Sequence, residues 1–370
     1  MDRDPMNSES INEKKEATGS SHYRNGIEAL FRHRLLFTAA LGIIAVLCVG
    51  FMITVGSANI GFLEAYEILI NQLFPGTFEG FTDSHVNIVT NIRGPRVLMG
   101  LCVGMILAIG GCMIQSILRN ALATPYTLGV SSSACFGAAL AMAYGVSINS
   151  GTMGVILSAF IFSLVPIGTI LLAAQRRGIT PVTMVLCGVA ISQIFGACNT
   201  ILQYFTSSDT TKEIVFWSVG SLNTVSLWMI PYVAVAALIF AVIAMYLSRD
   251  LNIMKMGDDT AQSLGVNVSR SRMIGVIVSC VATAVAVSFT GAIGFVCLIS
   301  PHLCRLFIGG DLKYLIPASG FLGAIILLAA DTIGRTIMAP VILPVGAITA
   351  LIGGPLLVYL LMRRKTEMSA

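Results

Sequence analysis

Three short groups of residues in this 370-residue chain have the types and spacing of charge-pairing sites. Arg93 and Arg96 flank a Gly-Pro pair at the head of an apolar run. Asp331 and Arg335 stand at i and i+4 in another run, the spacing at which an acid and a base meet on one helix face. Asp258 and Asp259 follow Gly257 and precede Gly265, so they suit the N-terminal dipole of a short helix over 258–264. The chemistry open to such groups is ion pairing and docking, not bond making. No Gly-Lys dipeptide occurs, so there is no G-x-x-x-x-G-K-[ST] phosphate loop, and there is no H-E-x-x-H zinc motif. His22, His33 and His85 lack metal-site spacing, and no nucleophile–base constellation is visible. No catalytic residue, no metal ligand and no cofactor bound by this chain are expected.

The elements that must position these groups are apolar helices. The chain is 56% hydrophobic and 11% charged, with mean hydropathy +0.86. Soluble domains carry about 25% charged residues, so most of this chain lies in lipid. Segments long enough to cross are 35–55, 95–117, 122–144, 151–174, 179–203, 226–248, 272–293, 314–337 and 343–362. No charge occurs from Met273 to Cys304. A single helix of that length would overshoot a core of about 30 Å, and the Thr290–Gly294 break divides it into a full crossing and a short helix near 295–307. With ten crossings and the N-terminus inside, 18 of the 22 lysines and arginines fall inside; with nine the split is 14 to 8. The positive-inside rule therefore favours ten, with both termini cytoplasmic. Only Arg93, Arg96, Lys212 and Arg335 then lie outside.

Residues 1–34 are polar and of mixed charge, and are expected to form a disordered cytoplasmic tail before a permease domain over 35–363, with a second tail at 364–370. The net charge of +4 is scattered over loops and does not point to nucleic acid. The nine cysteines all fall in apolar segments without a C-x-x-C pair and read as packing residues. Gly100 and Gly104 form a G-x-x-x-G face, and Gly129–Ala134 a second small-residue face, both suited to close helix contact. Asp331 is the one carboxylate well inside an apolar segment. Ion-driven carriers usually hold several ionisable groups near the midplane, so a stand-alone secondary transporter is disfavoured and energy is expected from another subunit. The inside loop at 249–271 is the largest; its residues suit equally a short helix that transmits force from a soluble motor and an ordinary solvated loop.

The segments RGPRVLMGLCVG, GCMIQSILRNALATPYTLGVSSSA, MGDDTAQSLGV, GAIGFVCLISPHLCRLFIGGD, LLAADTIGRTI and LPVGAITALIGGPLLVYLL resemble, in order, those of the iron-siderophore permease family, which includes the vitamin B12 and haem permeases of type II ABC importers. The match covers about residues 91–363 and is specific for family, not for substrate. It implies an all-α membrane protein of about ten transmembrane helices per protomer with the type II importer permease fold. It implies a homodimer or a pair of like subunits around a central path, two ATPase subunits that carry ATP and magnesium, and an extracytoplasmic binding protein, in the cell membrane of a prokaryote. Arg93, Arg96 and Arg335 match positions that meet the binding protein. Asp258, Asp259, Ala261, Leu264 and Gly265 match the helices that couple to the ATPase. For the path the expected residues are Ser192, Asn199 and Gln203, with Trp217 and Ser218 on an outer connection, 205–225, that helps gate it. Pro301, His302 and Arg305 match a motif that shapes the inner end of the eighth helix. An iron chelate is the expected cargo, with haem, cobalamin and molybdate as alternatives.

Overall fold

The computed structural model describes residues 5–56, 60–78, 80–145, 151–177, 180–338 and 341–367; among them there are helices and no strands. In chain order the helices are α1 (Pro5–Thr54), α2 (Phe62–Leu73), α3 (Asp83–Asn87), a π-helical turn (Ile88–Arg93), α4 (Gly94–Ile117), α5 (Val130–Tyr144), α6 (Gly151–Arg177), α7 (Pro181–Tyr204), α8 (Ser208–Val219), α9 (Ile230–Met254), α10 (Asp258–Ser263), α11 (Val268–Thr290), α12 (Val296–Ile308), α13 (Leu312–Thr336) and α14 (Val345–Glu367). Seven helical runs among the described residues are long and apolar enough to cross a membrane, and three shorter apolar helices, Val130–Tyr144, Val296–Ile308 and Val345–Leu360, fall where the other expected segments lie.

Three boundaries differ from the sequence reading. The helix of α1 runs back to Pro5 through the stretch expected to be a disordered tail, whose Glu, Lys and Ala residues favour helix and which has no proline after Pro5. The segment expected at 122–144 is instead a turn and a 3-10 helix, Pro125–Leu128, followed by the 15-residue α5. Pro125 and Gly129, at φ 94°, punctuate the chain there. Helix α2 lies in a loop where no element was expected. Its apolar residues recur at helical spacing, with Ala65 and Ile68 buried against α1.

The break after α11 is as expected: Gly291 takes φ 72°, and α12 begins after Phe295, at φ 62°.

Helix α4 is the hub. It packs against α13, α9, α11 and α12, and nearly all of its residues are buried. Helices α5, α6 and α7 form a second group, joined to the first through α11, which touches α4, α6 and α9. The Gly100/Gly104 face serves packing within the chain. A Cβ on Gly104 would lie 2.6 Å from the Gly323 carbonyl oxygen and 2.7 Å from Ala324 Cα on α13. Because the neighbour is backbone, Gly104→Ala is expected to destabilise by about 1–3 kcal/mol through forced separation of α4 and α13. Thermal unfolding of the detergent-solubilised chain checks this, and an unshifted transition contradicts it.

Candidate functional site

One charged cluster sits where α4 begins and α13 ends. Pro95 at the second position of α4 fixes the helix start, and Arg96 follows it with 7% exposure. Its Nε donates to Asp331 Oδ1 and Oδ2 at 2.8 and 2.9 Å, its Nη2 lies 2.7 Å from Oδ1, and its Nη1 donates to Asn223 Oδ1 at 3.0 Å. Asp331 is 2% exposed and also meets Arg335 Nε at 3.2 Å across the i, i+4 step. Arg335 Nη2 reaches back to Met52 O at 3.3 Å. Arg93, 6% exposed, donates from Nη1 to Ile53 O at 2.7 Å and to Thr54 O at 3.2 Å. The three arginines expected to form a docking rim are therefore gathered in one place, but turned inward. They bind the carbonyls that end α1, a carboxylate on α13 and, through Asn223, the loop after α8. Two of them are bracketed by a single carboxylate, so the cluster carries surplus positive charge.

A second cluster sits at the opposite end of α4. Gly257 (φ 124°) opens α10 and Gly265 (φ 84°) follows it, so the short helix forms where the sequence placed it. Asp258 does not cap it. Its oxygens accept two bonds from Arg272 Nη2 at 2.9 Å each, and Arg119 donates to Asp258 Oδ1 and to the Met254 carbonyl. Arg119 takes φ 50°, unusual outside glycine, and so turns the α4–α5 link towards α10. Burial would push the Asp258 carboxyl up, but Arg272 and Arg119 outweigh it and hold it below the usual aspartate range. Ala261 is fully buried against the bundle, whereas Asp259 and Leu264 are exposed, Leu264 at 61%, beside Met256 at 70%. Nearby, Asp311 caps α13 and accepts from Asn252 Nδ2 at 2.8 Å, while Arg305 Nη1 donates to Gln115 Oε1 at 2.7 Å, tying α12 to α4.

Ser192, Asn199 and Gln203 lie seven and four residues apart, so they form one stripe on α7, which packs against α5 and α6. All three are half-buried, and α7 is the least buried of the spans. Asn199 Oδ1 has no hydrogen-bond partner among the described residues. Trp217 lies on α8, which meets the stripe through a hydrogen bond from Thr211 Oγ1 to the Gln203 carbonyl at 3.4 Å. It lines a cavity of about 480 Å³ with Phe216, Met142 and Phe289, under α8. Ser218 donates to Val215 O within α8. His302 is buried in α12, and no group of three or more His, Cys, Asp or Glu suited to a metal occurs among the described residues. The roles of Asn223, Arg119 and Arg272 were not legible beforehand. Their partners lie 127, 139 and 14 residues away, and no spacing rule reaches across such distances.

The family model described as the FecCD transport family matches residues 42–363. A hemin transport system permease of Yersinia pestis is 35% identical over 334 residues, covering 89% of this chain and 97% of that one. A cobalamin import system permease of Halobacterium salinarum is 40% identical over 287 residues, covering 76% and 74%. A solved structure, an inward-facing metal-chelate type ABC transporter, superimposes with a TM-score of 0.78 at 27% identity, covering 88% of this chain and 98% of that one.

Proposed function

The chain belongs to the FecCD transport family and is the membrane permease of a prokaryotic ABC importer, and from that premise we propose that it carries an iron chelate inward by alternating access. In this reading it pairs with a second copy of itself, two ATPase subunits sit at the α10 end, and a binding protein docks at the Arg96 end, outside the cell. The observation that carries the reading is the build of α10. Asp258 ties it by charge-assisted bonds to the α4–α5 link and to α11, while Leu264 and Met256 remain exposed as apolar contacts for a soluble motor. Asp259 and the flexible Gly265 complete that surface. The exposed α7, with its Ser192, Asn199 and Gln203 stripe, supplies a face for the second copy and a polar lining for the path, with Trp217 and Ser218 on α8 at its mouth. Haem and cobalamin are the competing cargoes, since relatives are named for them. ATP and magnesium belong to the ATPase partner.

Reconstituting the chain with an ATPase and a binding protein in vesicles tests this: vanadate-sensitive accumulation of a ferric chelate is expected. Accumulation of haem or cobalamin alone overturns the cargo assignment.

At the docking end Arg93 and Arg96 are held inward on Ile53, Thr54 and Asp331, so of the three arginines docking contact is assigned first to Arg335, whose side chain is 13% exposed against 8% for Arg96. Arg335→Gln is expected to weaken binding-protein affinity roughly ten-fold at low salt, about 1.4 kcal/mol, and by less as ionic strength rises. Equal affinity for the variant and the parent chain across a salt series contradicts the assignment.

A further inference from the structure

One cavity contains none of the charged groups described so far, although Gly94 and Pro95, between Arg93 and Arg96, form part of its wall. It measures about 560 Å³, within the range of about 300–1,000 Å³ typical of small-ligand pockets, and no charged residue lines it. Leu69 of α2, Val89 of the π-helical turn, Leu98 of α4 and Ile230 of α9 form its walls. Its polar atoms are few. The Tyr66 hydroxyl is already bound to the α1 backbone at Val46 O and Gly50 N–H. Gln72 stands exposed at the rim. Thr90 Oγ1 is buried and has no hydrogen-bond partner among the described residues.

Three observations fix what kind of molecule fits. The cavity lies among segments long and apolar enough to cross a membrane, α1, α4 and α9, and its own lining residues Ile70 and Leu227 are apolar and exposed. Hydrocarbon, not water, is the medium there. Depth is marked by Trp228, in the 3-10 turn Leu227–Met229 just before α9, and Tyr232, in the first turn of α9; both are exposed, with ring centroids 6.4 Å apart, next to the lining residues Leu227 and Ile230. Such aromatic pairs sit at the boundary between headgroups and acyl chains. Water entering the cavity would find too few partners to be held, and an empty space of this size forfeits dispersion contacts along every wall. The buried Thr90 hydroxyl offers one donor at the edge of an otherwise apolar space.

We propose that this cavity is a lipid site, holding one hydrocarbon chain of a membrane lipid with the lipid's ester or ether oxygen at the level of Thr90 and Gln72. The chain fills the space between α2 and α9 that no side chain fills, and the ester or ether end lies at the rim beside the exposed Gln72.

Photolabelling of the full chain tests it, with the chain reconstituted in phosphatidylethanolamine and phosphatidylglycerol vesicles carrying a trace of phospholipid with a diazirine on one chain. The protein is extracted, washed in detergent to exchange surface lipid, irradiated and mapped by mass spectrometry. Label is expected at Leu69 and Leu98 and absent at Leu238 and Val242, which are exposed on α9 away from the cavity. Leu98→Trp, which fills the space, is expected to abolish the label at Leu69. Ile70→Trp, at the mouth and 40% exposed, is expected to do the same and decides the matter if the first variant does not fold. Label no stronger at Leu69 than at Leu238, label that persists in the folded tryptophan variants, or labelling of the cavity by a water-soluble diazirine instead overturns the proposal.

Discussion

Asp331→Ala is expected to destabilise the chain by about 3–5 kcal/mol, the cost of leaving a buried charge without its partner. Asp331 is 2% exposed and faces Arg96 and Arg335 together. Without the carboxylate, two guanidinium groups confront each other at the junction of α4 and α13, and neither reaches water easily. Asp331→Asn keeps the shape and loses the charge, so it is expected to be nearly as harmful. A double change, Arg96→Met with Asp331→Leu, replaces one buried pair by apolar residues but leaves Arg335 without its carboxylate, so it is expected to recover only part of the loss. Thermal unfolding in detergent reads all three. A double variant no more stable than Asp331→Ala contradicts this account of the pair.

Asp258→Ala is expected to leave ATP hydrolysis running and lower transport per ATP by about ten-fold, some 1.4 kcal/mol of lost coupling. The magnitude follows from losing charge-assisted bonds worth about 1.5–3 kcal/mol each, reduced because Asp258 is 37% exposed. Arg272, 4% exposed, keeps a fixed position from which the bond is made, and Arg119 draws on the same carboxylate from the α4–α5 link. Parallel measurement of hydrolysis and uptake in vesicles separates loss of coupling from loss of assembly; a transport-to-hydrolysis ratio equal to that of the parent chain contradicts it. The pH dependence has a definite sign. The carboxyl is held below the ordinary aspartate range, so its contribution is present above that range and is lost only as pH falls through the depressed value. Near-neutral pH leaves the clamp intact.

The crossings were legible in the sequence because lipid imposes a simple rule, a long run of apolar residues. The break after Thr290 was legible for the same reason. Helix α10 was readable from its two flanking glycines, both at positive φ. Helix α2 was not, because a 12-residue amphipathic helix resembles a loop to any test based on spanning length. The arginines were found as members of a site, but not their orientation. Arg96 reads the same whether it faces a partner or Asp331, and only the placement of α13 against α4 turns it inward. The Asp331–Arg335 step was visible because it is local. The Asp258 clamp was hidden because Arg119 lies 139 residues away in the chain.

The distance along the chain between Arg96 and Asp331 also has a meaning in time. They are 235 residues apart, and ribosomes add about 5–20 residues each second, so α4 is complete roughly 10–50 s before its counter-charge exists. Throughout that interval a guanidinium at the head of an apolar helix has no carboxylate to meet. Insertion of the nascent chain must therefore hold α4 with its first turn at the headgroup layer, or beside the insertion machinery, until α13 arrives. Burial of Arg96 is then one of the last events of assembly, and the mature hub of the bundle is completed only when α13 arrives.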